Sequence, residues 1–319
     1  MNLDHLTPFG RTGVNVTPLA IGTSSWGPRR ADESGEQRDE RVAAIADAFL
    51  EGALRSNLLD TSNMYGDSES EVHIGHALAR SGGLPAGQVL QTKLDRDLST
   101  DDFSSDQMWH SLEQSLERLG VQNLQVLYLH DPEVVGFESV MAPGGAVEAL
   151  VAMKEQGIVA SIGISGGPVA MLQKFVETDL FDALVTHNRF TLLDRSASAL
   201  LDAATERNVG VTNAAPYGAG VLTGDPRFAG TYGYKPIRSE VQASLEAIAA
   251  LCDDVGVPLA AAALQFSMRD PRVHSTIVGV SSLDRVWEAI GHAEHPIPDE
   301  LWAAVDEHLP PARVALDMP

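Results

Sequence analysis

The feature that most limits what this chain can fold into is a pattern repeated eight times: a short apolar run, then an amphipathic stretch of helical period. The apolar runs lie near 18–23, 56–60, 88–93, 124–129, 159–164, 182–186, 209–213 and 274–278. The helical stretches between them lie near 39–54, 69–80, 105–119, 145–156, 168–177, 196–207, 239–255 and 282–291. Strands that alternate with helices pair in parallel, and eight such units close the sheet on itself. The competing arrangement is an open doubly wound sheet. It calls for a Gly-x-Gly-x-x-Gly turn after an early strand, whereas the first run ends in Gly22-Thr23-Ser24-Ser25-Trp26. The expectation is therefore an α/β protein, a (β/α)8 TIM barrel forming a single domain over residues 1–319. An N-terminal β-hairpin is expected in FGRTGVNVTPLAIG, with extra helices near 258–269 and 298–308. Gly120 and Gly157 stand where left-handed residues end helices. The longest irregular stretch, roughly 214–238, is a candidate lid.

Composition narrows the function. Asp plus Glu number 44 against 22 Lys plus Arg, a formal charge of −22. Such a surface repels phosphate backbones and anionic lipid, so neither nucleic acid nor membrane is an expected partner. One cysteine, Cys252, excludes an intrachain disulfide, and its apolar neighbourhood predicts buried packing. The N-terminus MNLDHLTPFG lacks a basic stretch followed by an apolar one, and no apolar run approaches a membrane span. A cytoplasmic location is the expectation.

Barrel active sites gather where strands end. Those ends read Asp60, Lys93, His130, Ser165, His187 and Asn213, polar residues directly after apolar runs. Asp60 and Lys93 end neighbouring strands, so their heads can meet as a structural ion pair or as part of a site. A Lys kept charged by an Asp lowers the pKa of a nearby phenol. Free Tyr, at about 10, is too weak an acid for easy exchange at neutral pH. Tyr65 beside Lys93 and His130 is expected to be corrected in that sense. His130 can also hydrogen-bond a reacting oxygen.

Here the sequence resembles a known family. LLDTSNMYGDSESEVHIGHAL is similar to the aldo-keto-reductase signature Asp-Thr-x-x-x-Tyr-Gly followed by Ser-Glu-x-x-x-Gly-x-x-Leu. QTKLD resembles that family's lysine strand and LYLHDPE its histidine strand. GRTGVNVTPLAIGT, PYGAGVLTG and AAALQFSMRDPRV resemble its opening hairpin and late segments. The resemblance implies a barrel that binds NADP or NAD without a Rossmann motif, and a catalytic tetrad of Asp60, Tyr65, Lys93 and His130. HDPE, HNRFTLLDR and NAAPYG look most like the aldose-dehydrogenase branch, the D-threo-aldose and L-fucose types included.

The resemblance also implies cofactor contacts. Gly22 and Thr23 match a first-strand contact near the nicotinamide ribose. Ser165 matches the serine that binds the carboxamide, but the usual Asn beside it is Gly166 and the usual Gln one strand on is His187. The stacking aromatic aligns with Ala214, and Tyr217 is its candidate replacement. Gly279 stands where a Lys often meets the 2′-phosphate, and Ser281, Arg285 and Glu288 follow as candidate contacts to phosphate and adenine. Trp26 matches a substrate-pocket wall, with ordinary burial as the alternative. NAD against NADP stays open, as does the oligomeric state.

Other patterns are weaker. His73-Ile74-Gly75-His76 spells a nucleotide-binding tetrapeptide of class I aminoacyl-tRNA synthetases, but lies inside a helix and lacks its lysine-rich partner loop. His73 and His76 are expected to be surface histidines, and no metal site is expected. Asp131 and Glu133 come from one loop, which does not suit a glycosidase pair. The resulting expectation is an NAD(P)-dependent oxidoreductase acting on a small carbonyl, alcohol or sugar. The alternatives are a nicotinamide-binding regulatory subunit and a cofactor-free barrel isomerase or hydrolase.

Overall fold

The computed structural model describes residues 2–27 and 33–318. Eight parallel strands close into a barrel: β3 (Leu19–Gly22), β4 (Leu58–Asp60), β5 (Val89–Leu94), β6 (Leu124–His130), β7 (Val159–Gly166), β8 (Ala183–His187), β9 (Gly210–Ala214) and β12 (Ser275–Gly279), the last pairing with β3. Each boundary lies within two residues of the sequence expectation. Such strands are buried on both faces, so they read as unbroken apolar runs.

A hairpin of β1 (Thr7–Pro8) and β2 (Asn15–Val16) precedes the barrel. Phe9, fully buried, packs with Leu58, Val126, Ala183 and Val185 as part of the barrel's interior layer. Arg11 donates to Asp182 and to the carbonyls of Asp179 and Phe181, tying the hairpin to the start of β8.

The outer helices are α1 (Gly35–Leu50), α2 (Glu69–Ser81), α3 (Ser105–Leu119), α4 (Phe137–Met141), α5 (Ala146–Glu155), α6 (Val169–Glu177), α7 (Ser198–Glu206), α8 (Ser239–Asp254), α9 (Leu259–Met268), α10 (Leu283–Glu294) and α11 (Asp299–Asp306). Helix α1 starts four residues before its expected position because Ser34 and Gln37 form a reciprocal capping box. Gly120 and Gly157 take φ values of 67° and 73° after α3 and α5. The short α4 lies in the loop after β6 and has no periodic signal of its own.

The stretch 214–238 is less irregular than its composition suggests. It holds a two-stranded hairpin, β10 (Thr231–Tyr232) with β11 (Lys235–Pro236). The Tyr232 hydroxyl lies 2.6 Å from Thr191 Oγ1 and 3.0 Å from the Asn188 carbonyl, pinning the segment to the loop after β8. Strands of two residues are too short to show alternation.

Cys252 is fully buried, and burial pushes its thiol up to about 11. His73 corrects an expectation. It is buried between α1 and α2, with Nε2 3.8 Å from Asp39 and 3.9 Å from Glu69, whereas His76 is exposed. Among the described residues, no single helix is long and apolar enough to cross a membrane.

Candidate active site

Alternation along β5 sends Gln91 and Lys93 to the barrel interior, and Asp95 follows at the same spacing. Lys93 Nζ lies 2.9 Å from both carboxylate oxygens of Asp60 at the end of β4. It donates to the Thr61 carbonyl at 2.7 Å and to the Tyr65 hydroxyl at 3.2 Å. Gln91 donates to Asp60 at 2.8 Å and accepts from Tyr128 at 3.1 Å. Asp60 is thus fixed from two sides by groups with no access to water.

Tyr65 reaches this cluster because Gly66 lets the chain turn sharply. Gly66 has φ +61°, and a Cβ on it would fall 2.4 Å from Gly27 Cα. The two glycine backbones pack directly against each other and hold Tyr65 inward. Tyr65 keeps part of its surface open to the mouth while its hydroxyl is ringed by protein.

The electrostatics differ from expectation. Burial raises the Tyr65 pKa, Lys93 lowers it, and Asp60 raises it again; the net direction is upward. The ammonium is close enough to act, but burial outweighs it and the carboxylate that holds it opposes it. Lys93 itself moves upward: burial opposes its charge, and Asp60 and Tyr65 outweigh burial. The resting state is a neutral phenol beside an ammonium–carboxylate pair.

His130 ends β6. Its Nδ1 donates to Asp95 Oδ1 at 2.6 Å and lies 3.1 Å from Ser62 Oγ. Ser62 donates to the other oxygen of Asp95, and Met64 N–H donates to it at 3.0 Å. Nε2 therefore points away from Asp95, with Asp131 Oδ1 at 3.7 Å. Burial lowers the His130 pKa, but Asp95 and Asp131 raise it more, so the protonated ring is favoured. The Tyr65 and His130 rings meet edge to face, 5.7 Å between centroids. Asp95 and Ser62 were missed in the sequence; the period-two step from Gln91 through Lys93 to Asp95 was the available signal.

The other expected contacts divide. Ser165 pairs with His130 across β6 and β7, and its Oγ has no partner among the described residues. His187 Nδ1 lies 3.0 Å from the Asn188 side-chain amide, and its Nε2 has no hydrogen-bond partner among the described residues. Burial, then the charge of Arg189, push His187 down to about 4, so it is neutral near pH 7. Gly279 ends β12 opposite Gly22, and a Cβ there would meet only Ser24 Oγ at 3.7 Å, leaving an open floor. Ser282 caps the start of α10 without a side-chain hydrogen bond, so the first amides beside Ser281 and Arg285 are not satisfied by it. Arg285 pairs with Glu288 on the exposed side of α10, and burial, then the charge of Glu288, push the Tyr217 phenol up. Open floor, helix N-terminus and the polar groups of Ser165 and His187 together suit a dinucleotide carrying phosphates and an amide-bearing ring.

Three expected contacts do not reach the mouth. Thr23 is fully buried; its Oγ1 donates to the Asp60 carbonyl at 3.0 Å and lies 2.7 Å from Ser70 Oγ. Gly22 is buried, and its lack of a side chain answers a packing need, since a Cβ would lie 2.9 Å from Ile277. Trp26 is fully buried, with its indole N–H spent on the Val280 carbonyl at 3.1 Å, so it walls the core and not a pocket. Asn213 is likewise internal, its amide donating to Phe190 O and Ser267 Oγ, both at 2.8 Å. Asp131, Glu133 and His187 converge instead, with one ligand-type atom of each lying within 4.8 Å of the others.

Comparison with known proteins adds to this geometry. The profile described as the aldo/keto reductase family matches residues 18–310. Pyridoxal 4-dehydrogenase of Microbacterium luteolum is 27% identical over 93% of this chain and 95% of its own. L-galactose dehydrogenase of Arabidopsis thaliana is 28% identical over 90% and 87%. D-threo-aldose 1-dehydrogenase of a Pseudomonas species is 30% identical over 84% and 88%. Among solved structures, the holo form of aldo-keto reductase AKR11C1 from Bacillus halodurans superposes with a TM-score of 0.78 at 22% identity, covering 98% of both chains.

Proposed function

The chain belongs to the aldo/keto reductase family, whose members move hydride with NAD(P)H, and from that premise we propose that Tyr65 is its proton donor and acceptor. The observation that carries this reading is the 3.2 Å approach of Lys93 Nζ to the Tyr65 hydroxyl at the end of a closed barrel. A bound nicotinamide dinucleotide supplies or accepts the hydride. The chain's own residues handle the proton and the oxygen. In reduction, Tyr65 gives its phenolic proton to the substrate oxygen. In oxidation, it takes the proton from the substrate hydroxyl. Lys93, held by Asp60, stabilises the phenolate formed when the proton leaves. His130, its Nδ1 anchored on Asp95, offers Nε2–H to the same oxygen.

The substrate class is a small carbonyl, alcohol or sugar. We favour an aldose, because the relatives include an L-galactose and a D-threo-aldose dehydrogenase. Ser165 and His187 are assigned to the carboxamide end of the dinucleotide, Gly279, Ser281 and Arg285 to its phosphates, Glu288 to the adenine side and Tyr217 to the nicotinamide side. A single buried cysteine and the acidic surface support a cytoplasmic protein without nucleic-acid or membrane partners.

The test is absorbance at 340 nm with a panel of aldoses and aldehydes and each dinucleotide. Turnover with at least one sugar or aldehyde is expected. Tyr65→Phe should lower kcat by a factor of roughly 10² to 10⁴, the range for losing a positioned acid–base group, while dinucleotide affinity stays. Tight binding without turnover across the panel would point to a regulatory subunit, and no binding to a cofactor-free enzyme.

A further inference from the structure

The interior face of a barrel strand calls for apolar side chains, and Leu58, Val89, Val126 and Val185 supply them here. Gln91 and Tyr128 put polar groups into the same interior, and both are fully buried. A primary amide in such a place is costly unless both of its ends are bonded, and both are. Nε2 of Gln91 donates to Asp60 Oδ1 at 2.8 Å, and its Oε1 accepts from the Tyr128 hydroxyl at 3.1 Å. The reverse orientation would turn the amide oxygen toward a carboxylate, so phenol and carboxylate together leave the amide one way to lie. Burial and the charge of Asp60 keep the Tyr128 phenol protonated, a lasting donor. Room for its ring comes from the next strand. Gly163 of β7 lies opposite Tyr128, and a Cβ there would fall 2.4 Å from ring carbons Cδ1 and Cε1. Gly163, Tyr128, Gln91 and Asp60 thus stand one per strand on β7, β6, β5 and β4, and the row ends on the carboxylate that seats Lys93.

We propose that Gln91 and Tyr128 are positioning residues for proton transfer: Tyr128 fixes the Gln91 amide, and Gln91 fixes the rotation of the Asp60 carboxylate that aims Lys93 at Tyr65. The inference rests on the reading that Tyr65 carries the proton. An ammonium has three N–H groups. At Lys93 they serve the Asp60 carboxylate, the Thr61 carbonyl and the Tyr65 hydroxyl. Asp60 meets Nζ with both oxygens at 2.9 Å, a seat that a rotated carboxylate loses. Without Gln91 the carboxylate can turn about its Cβ–Cγ bond and Nζ follows it, away from the 3.2 Å contact with the phenol. Both residues act through Asp60, so loss of the amide slows turnover and leaves the affinity for substrate and dinucleotide alone.

The experiment measures kcat, KM and Tm for the intact enzyme, Gln91→Leu, Tyr128→Phe and the double variant Gln91→Leu/Tyr128→Phe, with the substrate and dinucleotide that the absorbance panel identifies. Gln91→Leu should lower kcat about five- to twenty-fold, part of the effect of one hydrogen bond to a charged group, with KM and ADP-ribose affinity within about twofold of the parent. ADP-ribose lacks the nicotinamide ring and reports that the mouth is intact. Gln91→Met, closer to glutamine in shape, serves the same comparison where Gln91→Leu does not fold. Tyr128→Phe keeps the donor to Asp60 but leaves the amide oxygen buried without a donor of its own, so it should have the lowest Tm of the set and lose only about two- to fivefold in kcat. The double variant should melt above Tyr128→Phe, because replacing both partners by apolar groups costs less than orphaning one, yet turn over as slowly as Gln91→Leu. Opposite rankings of Tm and kcat support the proposal. A kcat that follows Tm across the set, or parent-like kcat in Gln91→Leu, overturns it. Tyr65→Phe separates this outcome from the reading beneath it. Adding Gln91→Leu to Tyr65→Phe should slow turnover no further; an equal additional loss places the action of Gln91 elsewhere and overturns the proposal with the role of Tyr65 standing. Parent-like turnover in Tyr65→Phe, or no turnover by the intact enzyme, overturns that role and the proposal with it.

Discussion

Lys93 Nζ stands 3.2 Å from the Tyr65 hydroxyl and 4.5 Å from the centroid of its ring, so one ammonium meets the phenol at its oxygen and over its face. Burial outweighs that ammonium, Asp60 opposes it further, and the phenol stays protonated well above neutral pH. The protonated form serves reduction and the ionised form serves oxidation. Oxidation kcat/KM should therefore climb with pH across the alkaline range, while reduction stays level there. Lys93→Met removes the one neighbour that lowers the phenol and should move the climb to higher pH. Rate profiles in both directions from about pH 6 to 10 decide it; an oxidation rate indifferent to pH removes Tyr65 as the titrating group.

Asp95 holds His130 by a 2.6 Å hydrogen bond and by its charge. Asp95→Asn keeps the shape and drops the charge, so the ring loses its main reason to stay protonated. We expect kcat to fall about ten- to a hundred-fold, the equivalent of one charge-assisted hydrogen bond, with ADP-ribose affinity unchanged. NMR titration of the His130 ring should find its pKa lower than in the parent. An unchanged kcat would mean that the anchor is dispensable.

Gly66 turns the chain through a left-handed conformation against Gly27. Gly66→Ala adds both backbone strain and a clash with a main chain that has no side chain to move aside. The expected loss is about 2–3 kcal/mol or more, read as a lower Tm by calorimetry. Surviving protein should show a larger defect in kcat than in dinucleotide affinity, because Tyr65 is displaced. An unaltered Tm would show that the two loops can separate at no cost.

Arg285 is paired with Glu288 on the exposed side of α10. An exposed pair of this kind is weak and easily exchanged for a stronger anion. Glu288→Gln frees the guanidinium and removes a negative neighbour, so NADPH should bind a few-fold tighter relative to NADH. The shift should shrink as salt is raised. An NADPH-to-NADH ratio that does not move would take this pair out of the dinucleotide site.

Much of the site could be read from residue order. The apolar run ending at Asp60, the lysine two positions after Gln91 and the histidine closing LYLH each lie where a strand meets its loop. Asn213 reads the same way and is internal, as are Thr23 and Trp26, which the family resemblance puts at the mouth, because a residue at or just past a strand end can turn to the mouth or back into the packing. Nothing local separates those two outcomes. Thr23 is claimed by Ser70 and Asp60, 47 and 37 residues away. Glu133 reads from the sequence only as half of an unsuitable carboxylate pair, since its approach to His187 exists only once the ends of β6 and β8 share one side of the barrel.

The sequence by itself determined the barrel and the succession of polar groups around its rim, because strand and helix periods are local properties that a chain carries wherever it goes. Only the tertiary structure decided which of those groups face the mouth and which proton state each one holds. Burial and charge pairing are set by every neighbour at once. Asp60 both keeps Lys93 ionised and opposes its effect on Tyr65, a balance that depends on distances between strands.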